Sequence, residues 1–407
     1  MRGSRLIGGL LAGGLATAAR GTAGRTVSST LPLRPNVHAA ASTKAARLTL
    51  PPPSGPDDVG TVALRLVDGS RHDPWVPAQA YRELMVSVFY PARDAAAYPL
   101  APQMTPAAAE HFDASLGTPV HQGLGLKPGT ADWGATMTHS HQGAPVAAGR
   151  HPVVLYSPGL GDPRTLGTTF AEDLASRGYV VVTIDHTYDA SEVEFPGGRV
   201  EPFKLPLDGD LIATLKKVMS VRVADTRFVL DRLTTLPDGL GAAVDTARIG
   251  MAGQSAGGFT ALQTLHDDPR VRAAADLDGT VGFDQNDGGP GLSPLAESGL
   301  RRPFLLMGSQ ASDHHTVRSW EALWDHSTGW KRDLHLRGSA HHTYTDLESL
   351  APQLKTDADT GWIDSSRAVA EQRAYLAAFF DRWLRGRDDD GLLDRPSPRY
   401  PDATFVR

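Results

Sequence analysis

Residues 250–259 read GMAGQSAGGF, with the apolar run ARIGMA just before the serine and FTALQTL just after it. Gly253, Ser255 and Gly257 form the pattern G-x-S-x-G, in which small neighbours let a strand and a helix approach each other around a serine on a strained turn. The pattern alone is weak evidence, and it gains weight here because both the strand and the helix that it requires are present. It predicts a nucleophilic serine at the end of a strand.

Apolar runs that read as buried strands occur on both sides of this turn. HPVVLYSPGLG and YVVVTIDH come before it, and VRAAADLDG, PFLLMGS and RDLHLRG come after it, with helical patterns between most of them. Consecutive Val, Ile and Leu are typical of strands covered on both faces, and intervening helices supply the crossovers of a parallel sheet. TVALRLVDGSR and RELMVSVFYPAR read instead as two antiparallel strands. We therefore expect an α/β fold with a mostly parallel sheet, antiparallel N-terminal strands and helices on both faces.

The ends of the chain differ in composition from the middle. Residues 1–23 carry Arg2 and Arg5, an apolar run at 6–15 and a small-residue pattern, which predicts a secretory signal peptide too short to anchor the chain in a membrane. We expect a flexible leader at 24–56, a catalytic domain at 57–386 that includes a surface excursion or cap at 94–148, and a solvated tail at 387–407. The expected location is extracellular.

Composition excludes several classes of function. The chain has 407 residues, 41% of them hydrophobic and 21% charged, which fits a globular protein, and its net charge of −6 comes without the basic runs of a nucleic-acid binder. It contains no cysteine, so it has no disulfide and no thiolate metal site. The pairs His139 with His141 and His314 with His315 are read as surface or loop histidines and not as metal ligands. We expect no cofactor and no metal.

Two further features suit acyl transfer. An oxyanion needs amide donors, which usually come from the residue after the nucleophile and from a glycine-bearing loop after an earlier strand. Ala256 and Leu160, the latter within SPGLGDPR, occupy those places.

The base should be a histidine after a late strand. The stretch LHLRGSAHHTYTD contains His341, with His342 beside it. We favour His341, because neighbouring loop side chains point apart.

The acid has three candidates. Asp278 closes the strand AAADL and would lie at the carboxyl edge of the sheet, where triad members gather. Asp313 follows the next strand, where many hydrolases of this class place the acid. Asp276 has the same strand parity as Asp278 but lies deeper, where a carboxylate would need a partner. From strand position alone Asp278 ranks first, and the choice between Asp278 and Asp313 stays open.

Over residues 59–350 the chain resembles the secreted α/β-hydrolases of the platelet-activating-factor acetylhydrolase family. The stretches that carry the resemblance are, in this order, RELMVSVFYPAR, LYSPGLGDPRTLGTTFAEDLASRGYVVVTIDH, DTRFVLDRL, ARIGMAGQSAGG, DLDGT and LRGSAHHTYTD. The similarity to bacterial cutinase-like polyester hydrolases is more distant. The resemblance implies the α/β-hydrolase fold and a metal-free serine esterase or lipase. It further implies Ser255 as nucleophile, Asp278 as acid, His341 as base, and Leu160 and Ala256 as oxyanion donors.

Two positions depart from that family's pattern. Pro158 and Gln254 stand where histidine is common, which leaves the backbone donors intact but puts the polarity of the pocket and the choice of substrate in question. The esterase resemblance gives the expected partner, which is a small-molecule or lipid ester. A cutinase-like polyester or triacylglycerol hydrolase is one alternative, and a non-catalytic binding module on the same fold is another.

Overall fold

The structure is a computed structural model and describes residues 45–407 without 119 and 285–290; of Gln122 it describes the backbone. The predicted signal peptide at 1–23 and the first part of the predicted leader lie outside the described residues. Within the described ranges, no helix combines the length and the apolar character needed to cross a membrane.

The centre of the molecule is an eleven-stranded sheet with the order β13-β12-β11-β10-β9-β5-β6-β2-β1-β4-β3, and β7 and β8 form a separate hairpin. The six strands from β6 to β12 in this order are mutually parallel, as predicted. β1 and β2 are antiparallel, also as predicted. The strands of the described residues are β1 to β13: Val59–Asp68, Arg82–Pro91, Leu100–Pro102, Met137–Gln142, His151–Ser157, Val180–Asp185, Glu192–Phe195, Arg199–Pro202, Val244–Gln254, Val271–Leu277, Phe304–Gly308, Lys331–Leu336 and Ala403–Phe405.

Helices cover both faces of the sheet. Because side chains alternate along a strand, Val153 and Leu155 of β5 face one core while Val154 and Tyr156 face the other. The first core is completed by the third, fifth and seventh helices, and the second by the second and ninth helices. The helices of the described residues are α1 to α9: Pro106–Ser115, Thr168–Ala175, Leu211–Arg232, Leu240–Ala243, Ala256–Asp267, Pro294–Ser298, Arg318–His326, Leu347–Leu350 and Ser365–Phe380.

The segment 94–148 is not only an excursion over the surface. It contains α1, β3 and β4, and β4 pairs in parallel with β1, so the segment extends the sheet. Phe112 and Trp133 form a third hydrophobic cluster together with Leu48 and Leu347. The sequence did not predict these strands because β3 has only three residues and β4 is mostly polar, and a strand that joins an edge through its main chain needs little hydrophobic periodicity.

The predicted leader and tail are also corrected over the described residues. Leu48 and Leu50 are buried, and the Ser54 amide donates to Asp173 at 2.9 Å, so the chain is packed well before residue 57. At the other end β13 pairs antiparallel with β12, and Asp402 is buried. The acidic residues predicted a solvated tail at 387–407. The last part of this tail instead pairs with β12 through main-chain hydrogen bonds and belongs to the sheet.

Candidate active site

Ser255 is the residue between β9 and α5, and its backbone is strained, with φ 56° and ψ −124°. A Cβ at Gly253 would lie 2.2 Å from the backbone of Gly257, and a Cβ at Gly257 would lie 1.8 Å from the Ser157 carbonyl oxygen. Both glycines are therefore required by close approach. The Ser255 amide donates to the Leu277 carbonyl at 2.8 Å, which ties the turn to the end of the neighbouring strand β10.

Asp278 directly follows β10 and also has a positive φ, 56°. Its Oδ1 accepts from the Ser309 amide at 2.7 Å, and its Oδ2 lies 2.7 Å from Nδ1 of His341. Burial acts to raise the pKa of this carboxyl, but the hydrogen bond and charge of His341 outweigh it, and the pKa is lowered. Asp278 is therefore an ionised partner for the imidazole.

His341 opens a short 3₁₀ turn after β12, and its side chain is 27% exposed. Burial lowers the pKa of the imidazole, but the hydrogen bond and negative charge of Asp278 prevail, so the pKa is raised. Since Nδ1 faces Asp278, Nε2 is the nitrogen left for proton exchange. The neighbouring His342 points elsewhere, with Nδ1 at 3.5 Å from Asp359.

The other two acid candidates have different neighbours. Oδ1 of Asp313 accepts from the amides of His315 and Thr316, which closes a local turn. Asp276 is fully buried, accepts from the Gly279 amide at 2.9 Å and from Trp320 Nε1 at 3.2 Å, and burial raises its pKa far above the ordinary value. Among the three carboxylates, the structure pairs Asp278 with His341.

Of the two predicted oxyanion donors, Leu160 lies on the loop after β5 and Ala256 directly follows the serine. Within the described part of the chain, the partly exposed Leu160 has no hydrogen-bond acceptor for its amide. Ala256 is the first residue of α5, where an N–H has no acceptor within its own helix. Gly161 beside Leu160 has φ 85°, and its carbonyl accepts from the Ser191 amide at 2.8 Å.

Gln254, one of the two departures from the family pattern, connects the serine turn to the histidine turn. Its side chain is fully buried, and its Nε2 donates to the His341 carbonyl oxygen at 3.0 Å. Pro158, the other departure, accepts through its carbonyl from Arg222 at 2.7 Å. Gln254 therefore positions the backbone of His341, a role that its place before the serine did not predict.

A second Ser–His–Asp arrangement lies beneath the loop that carries Leu160, and the sequence did not predict it. Ser157 Oγ is 3.0 Å from Nε2 of His186, whose Nδ1 is 3.1 Å from Asp225. All three side chains are at most 1% exposed, so no ester can reach them. Burial is the main cause of a lowered pKa at His186. The available signals were Ser157 and His186, each next to the carboxyl end of an apolar strand.

Other histidines take structural roles. His314, predicted to be at the surface or in a loop, is buried, stacks on Trp324 and contacts Asp333 through Nδ1 at 2.7 Å. His139 and His141 bind backbone carbonyls of Leu50 and Tyr98. Over the described ranges, no group of three or more His, Cys, Asp or Glu side chains is arranged to hold a metal ion.

Known proteins of similar sequence and structure include esterases. The family model described as platelet-activating factor acetylhydrolase, isoform II, matches residues 44–194. A probable 1-alkyl-2-acetylglycerophosphocholine esterase of Arthroderma benhamiae is 31% identical over 91% of this chain and 96% of its own length. A platelet-activating factor acetylhydrolase of Cavia porcellus is 22% identical over 64% of this chain and 67% of its own.

A solved structure, that of a ferulic acid esterase from Streptomyces cinnamoneus, matches with a TM-score of 0.74 and 38% identity, over 89% of this chain and all of the other. The parallel sheet and its helical layers are thus those of an α/β-hydrolase. These findings make the protein a carboxylic ester hydrolase, and the chain belongs to the platelet-activating factor acetylhydrolase isoform II family.

Proposed function

We propose that the protein cleaves carboxylic esters through an acyl-enzyme formed on Ser255. The observation that carries this assignment is the 2.7 Å contact of His341 with Asp278, both at the sheet edge where the strained Ser255 turn ends β9. His341 removes the proton of Ser255 as its Oγ attacks the ester carbonyl, and then gives that proton to the leaving alcohol. Water repeats the sequence and releases the acid.

We assign the stabilisation of the tetrahedral oxyanion to the amides of Leu160 and Ala256. Their support is that Leu160 has no other acceptor among the described residues and that Ala256 begins a helix. The positive end of the α5 dipole adds to the same effect, because it favours negative charge at the helix N-terminus.

The test replaces the nucleophile and the base. Ser255→Ala should lower kcat on p-nitrophenyl esters by about 10⁴- to 10⁶-fold and abolish labelling by a fluorophosphonate. His341→Asn should have a similar effect. A matched control is His314→Asn, because His314 also contacts an aspartate through Nδ1 at 2.7 Å but lies outside the proposed site. Normal turnover in the Ser255→Ala enzyme would contradict the assignment.

For the substrate, we propose an ester with a short acyl group, in keeping with the relative described as a 1-alkyl-2-acetylglycerophosphocholine esterase. An aromatic acyl group is the second candidate, because the ferulic acid esterase has the higher identity, 38%. Initial rates on p-nitrophenyl esters from acetyl to palmitoyl, and on methyl ferulate, separate them. A maximum at acetyl or butyryl supports the first, preference for methyl ferulate the second, and a maximum at palmitoyl a lipase.

We also propose that the protein is exported. The proposal rests on the charged, apolar and small-residue order of residues 1–23. Expression of the full chain in a secreting bacterial host, followed by N-terminal sequencing of the enzyme in the medium, tests it. Retention of the intact N-terminus inside the cell would contradict export.

A further inference from the structure

Arg222 of α3 is buried directly behind the loop that carries Leu160, with its side chain 1% exposed. An arginine has five guanidinium N–H donors, and here all five have acceptors. Nε and Nη2 bind both oxygens of Asp189, at 2.7 and 2.6 Å; Nη2 also donates to the Gly159 carbonyl at 2.9 Å, and Nη1 donates to the Pro158 carbonyl at 2.7 Å and to Ser157 Oγ at 3.3 Å. One buried cation therefore binds two consecutive carbonyls of the loop.

The Gly159 carbonyl and the Leu160 amide belong to the same peptide unit. This unit is planar and trans, so its C=O and N–H point in opposite directions. When Nη2 of Arg222 binds the Gly159 oxygen from behind, the Leu160 N–H must point away from Arg222. The same contact polarises the peptide, because a hydrogen bond accepted by the carbonyl makes the attached N–H a stronger donor.

We infer that Arg222 is a positioning residue for the reaction: by binding the Gly159 carbonyl it fixes the direction of the Leu160 N–H and strengthens it as an oxyanion donor. This inference rests on the proposed role of Leu160. Asp189 completes the arrangement, since its carboxylate neutralises the buried guanidinium and its Oδ1 also lies 3.5 Å from the Gly161 amide.

Lysine cannot replace Arg222 in this role. The planar guanidinium presents parallel donors to Asp189 while its other N–H groups reach both carbonyls, whereas an ammonium is a compact charge on a flexible stem. Arg222→Lys retains the positive charge beside Asp189 but loses the simultaneous hold on Pro158 and Gly159. This variant therefore tests the hydrogen-bond geometry of Arg222 separately from its positive charge.

The experiment measures kcat, KM and inhibition by an alkyl trifluoromethyl ketone, which adds the serine Oγ and forms a tetrahedral oxyanion. In Arg222→Lys, kcat on p-nitrophenyl butyrate should fall about 10- to 100-fold, less than the 10²- to 10³-fold typical of deleting an oxyanion donor. KM should stay within about twofold, because ground-state binding is unchanged. The inhibition constant of the ketone should rise by the same factor as kcat/KM falls.

Arg373→Lys is the matched control. Arg373 is also largely buried, lies 3.7 Å from Asp173, and donates to the carbonyls of Pro51, Pro52 and Thr169, but these belong to another part of the molecule. Its replacement should leave kcat and the ketone inhibition constant unchanged. Thermal melting of each variant reports folding separately from activity.

Asp189→Asn provides a second variant in case Arg222→Lys does not fold. It keeps an acceptor beside Arg222 but removes the charge, so kcat and ketone affinity should both fall several-fold at constant KM. A folded Arg222→Lys enzyme with kcat and ketone affinity within about twofold of wild type would overturn the inference. If only Asp189→Asn folds, unchanged kcat and unchanged ketone affinity in that variant would overturn it. An active Ser255→Ala enzyme would instead overturn the proposed function, whatever the Arg222 variants show.

Discussion

In the proposed mechanism, the carboxylate of Asp278 controls the pH range in which His341 acts as the base. A general base acts in its neutral form, and Asp278 holds the pKa of His341 above its ordinary value of 6.5. In the proposed mechanism kcat/KM therefore falls as the pH drops through this raised pKa and levels off at higher pH. The acid limb of the pH profile should lie above pH 6.5.

Asp278→Asn should change both the rate and this profile. Without the carboxylate, kcat should fall about 10⁴-fold, because the imidazole loses the partner that holds its tautomer and its positive charge. The remaining activity should have its acid limb at lower pH, since burial, which lowers the pKa of His341, is then opposed only by the smaller effects of Asp359 and Asp162. Rates between about pH 5 and 9 measure both effects.

Asp313→Asn is the control for this prediction. Asp313 binds the amides of its own turn and not His341, so its replacement should leave the acid limb in place. A shift of the limb in Asp313→Asn and none in Asp278→Asn would reverse the proposed assignment. The sequence could rank these two aspartates by strand position, but it could not separate them fully, because the choice depends on which loop the His341 turn meets in space.

At the scale of elements, α2 is held by an aspartate from the turn that follows His341. Asp346 is fully buried and accepts from the amides of Thr168 and Thr169, from Thr169 Oγ1 and from Gln103 Nε2, at 2.7 to 3.1 Å. The first two donors are amides of the first turn of α2, where an N–H has no acceptor within its own helix. One carboxylate thus connects the histidine turn, α2 and the segment 94–148.

Asp346→Ala should destabilise the protein by about 3 kcal/mol or more, because the buried amide and hydroxyl of Thr169 lose their acceptor, and Thr168 and Gln103 each lose one of two. The measurement is the midpoint of urea unfolding. Asp364→Ala is the control: Asp364 caps α9 by accepting from the Arg367 amide and from Ser366 Oγ and is exposed, so its loss should cost about 1 kcal/mol. Equal effects of the two substitutions would contradict the connecting role of Asp346.

The elements that could be predicted from sequence are those with hydrophobic periodicity. β5, β6 and β9 to β11 each contain a run of apolar residues, β12 has Leu at alternate positions, and α9 places Leu376, Phe379 and Phe380 in the second core, so their patterns were visible. β3, β4 and β13 have three to six residues each and join edges through main-chain hydrogen bonds, which do not require apolar side chains. Gln254, Asp346 and Arg222 act across long sequence separations, for which a single sequence carries no signal.

At the scale of the whole molecule, the last residues close one edge of the sheet. β13 pairs with β12, the Arg337 amide donates to the Asp402 carbonyl at 2.8 Å, and the Arg337 guanidinium binds the carboxylate of Asp402 at 2.8 Å. β12 leads directly into the turn of His341. The C-terminal strand therefore supports the strand that positions the proposed base.

Removal of residues 399–407 should lower the Tm by at least about 3 °C and increase aggregation, because an unpaired edge of β12 becomes available to other chains. Thr404→Ala, which changes an exposed side chain of β13 and keeps its main-chain bonds, should leave the Tm within about 1 °C of wild type. Melting curves and light scattering at equal protein concentration provide the comparison. A shortened chain as stable as the full one would show that β13 contributes nothing to the sheet.

The hydrogen bond from the Ser309 amide to Asp278 has an evolutionary consequence. Ser309 directly follows β11, the strand after which many related hydrolases place their acid, while Asp278 follows β10. The two loops thus meet at one carboxylate, which also contacts His341. In the proposed mechanism, a lineage with this arrangement could gain an aspartate at 309 while it keeps Asp278, so that an intermediate with both carboxylates would link the two positions of the acid.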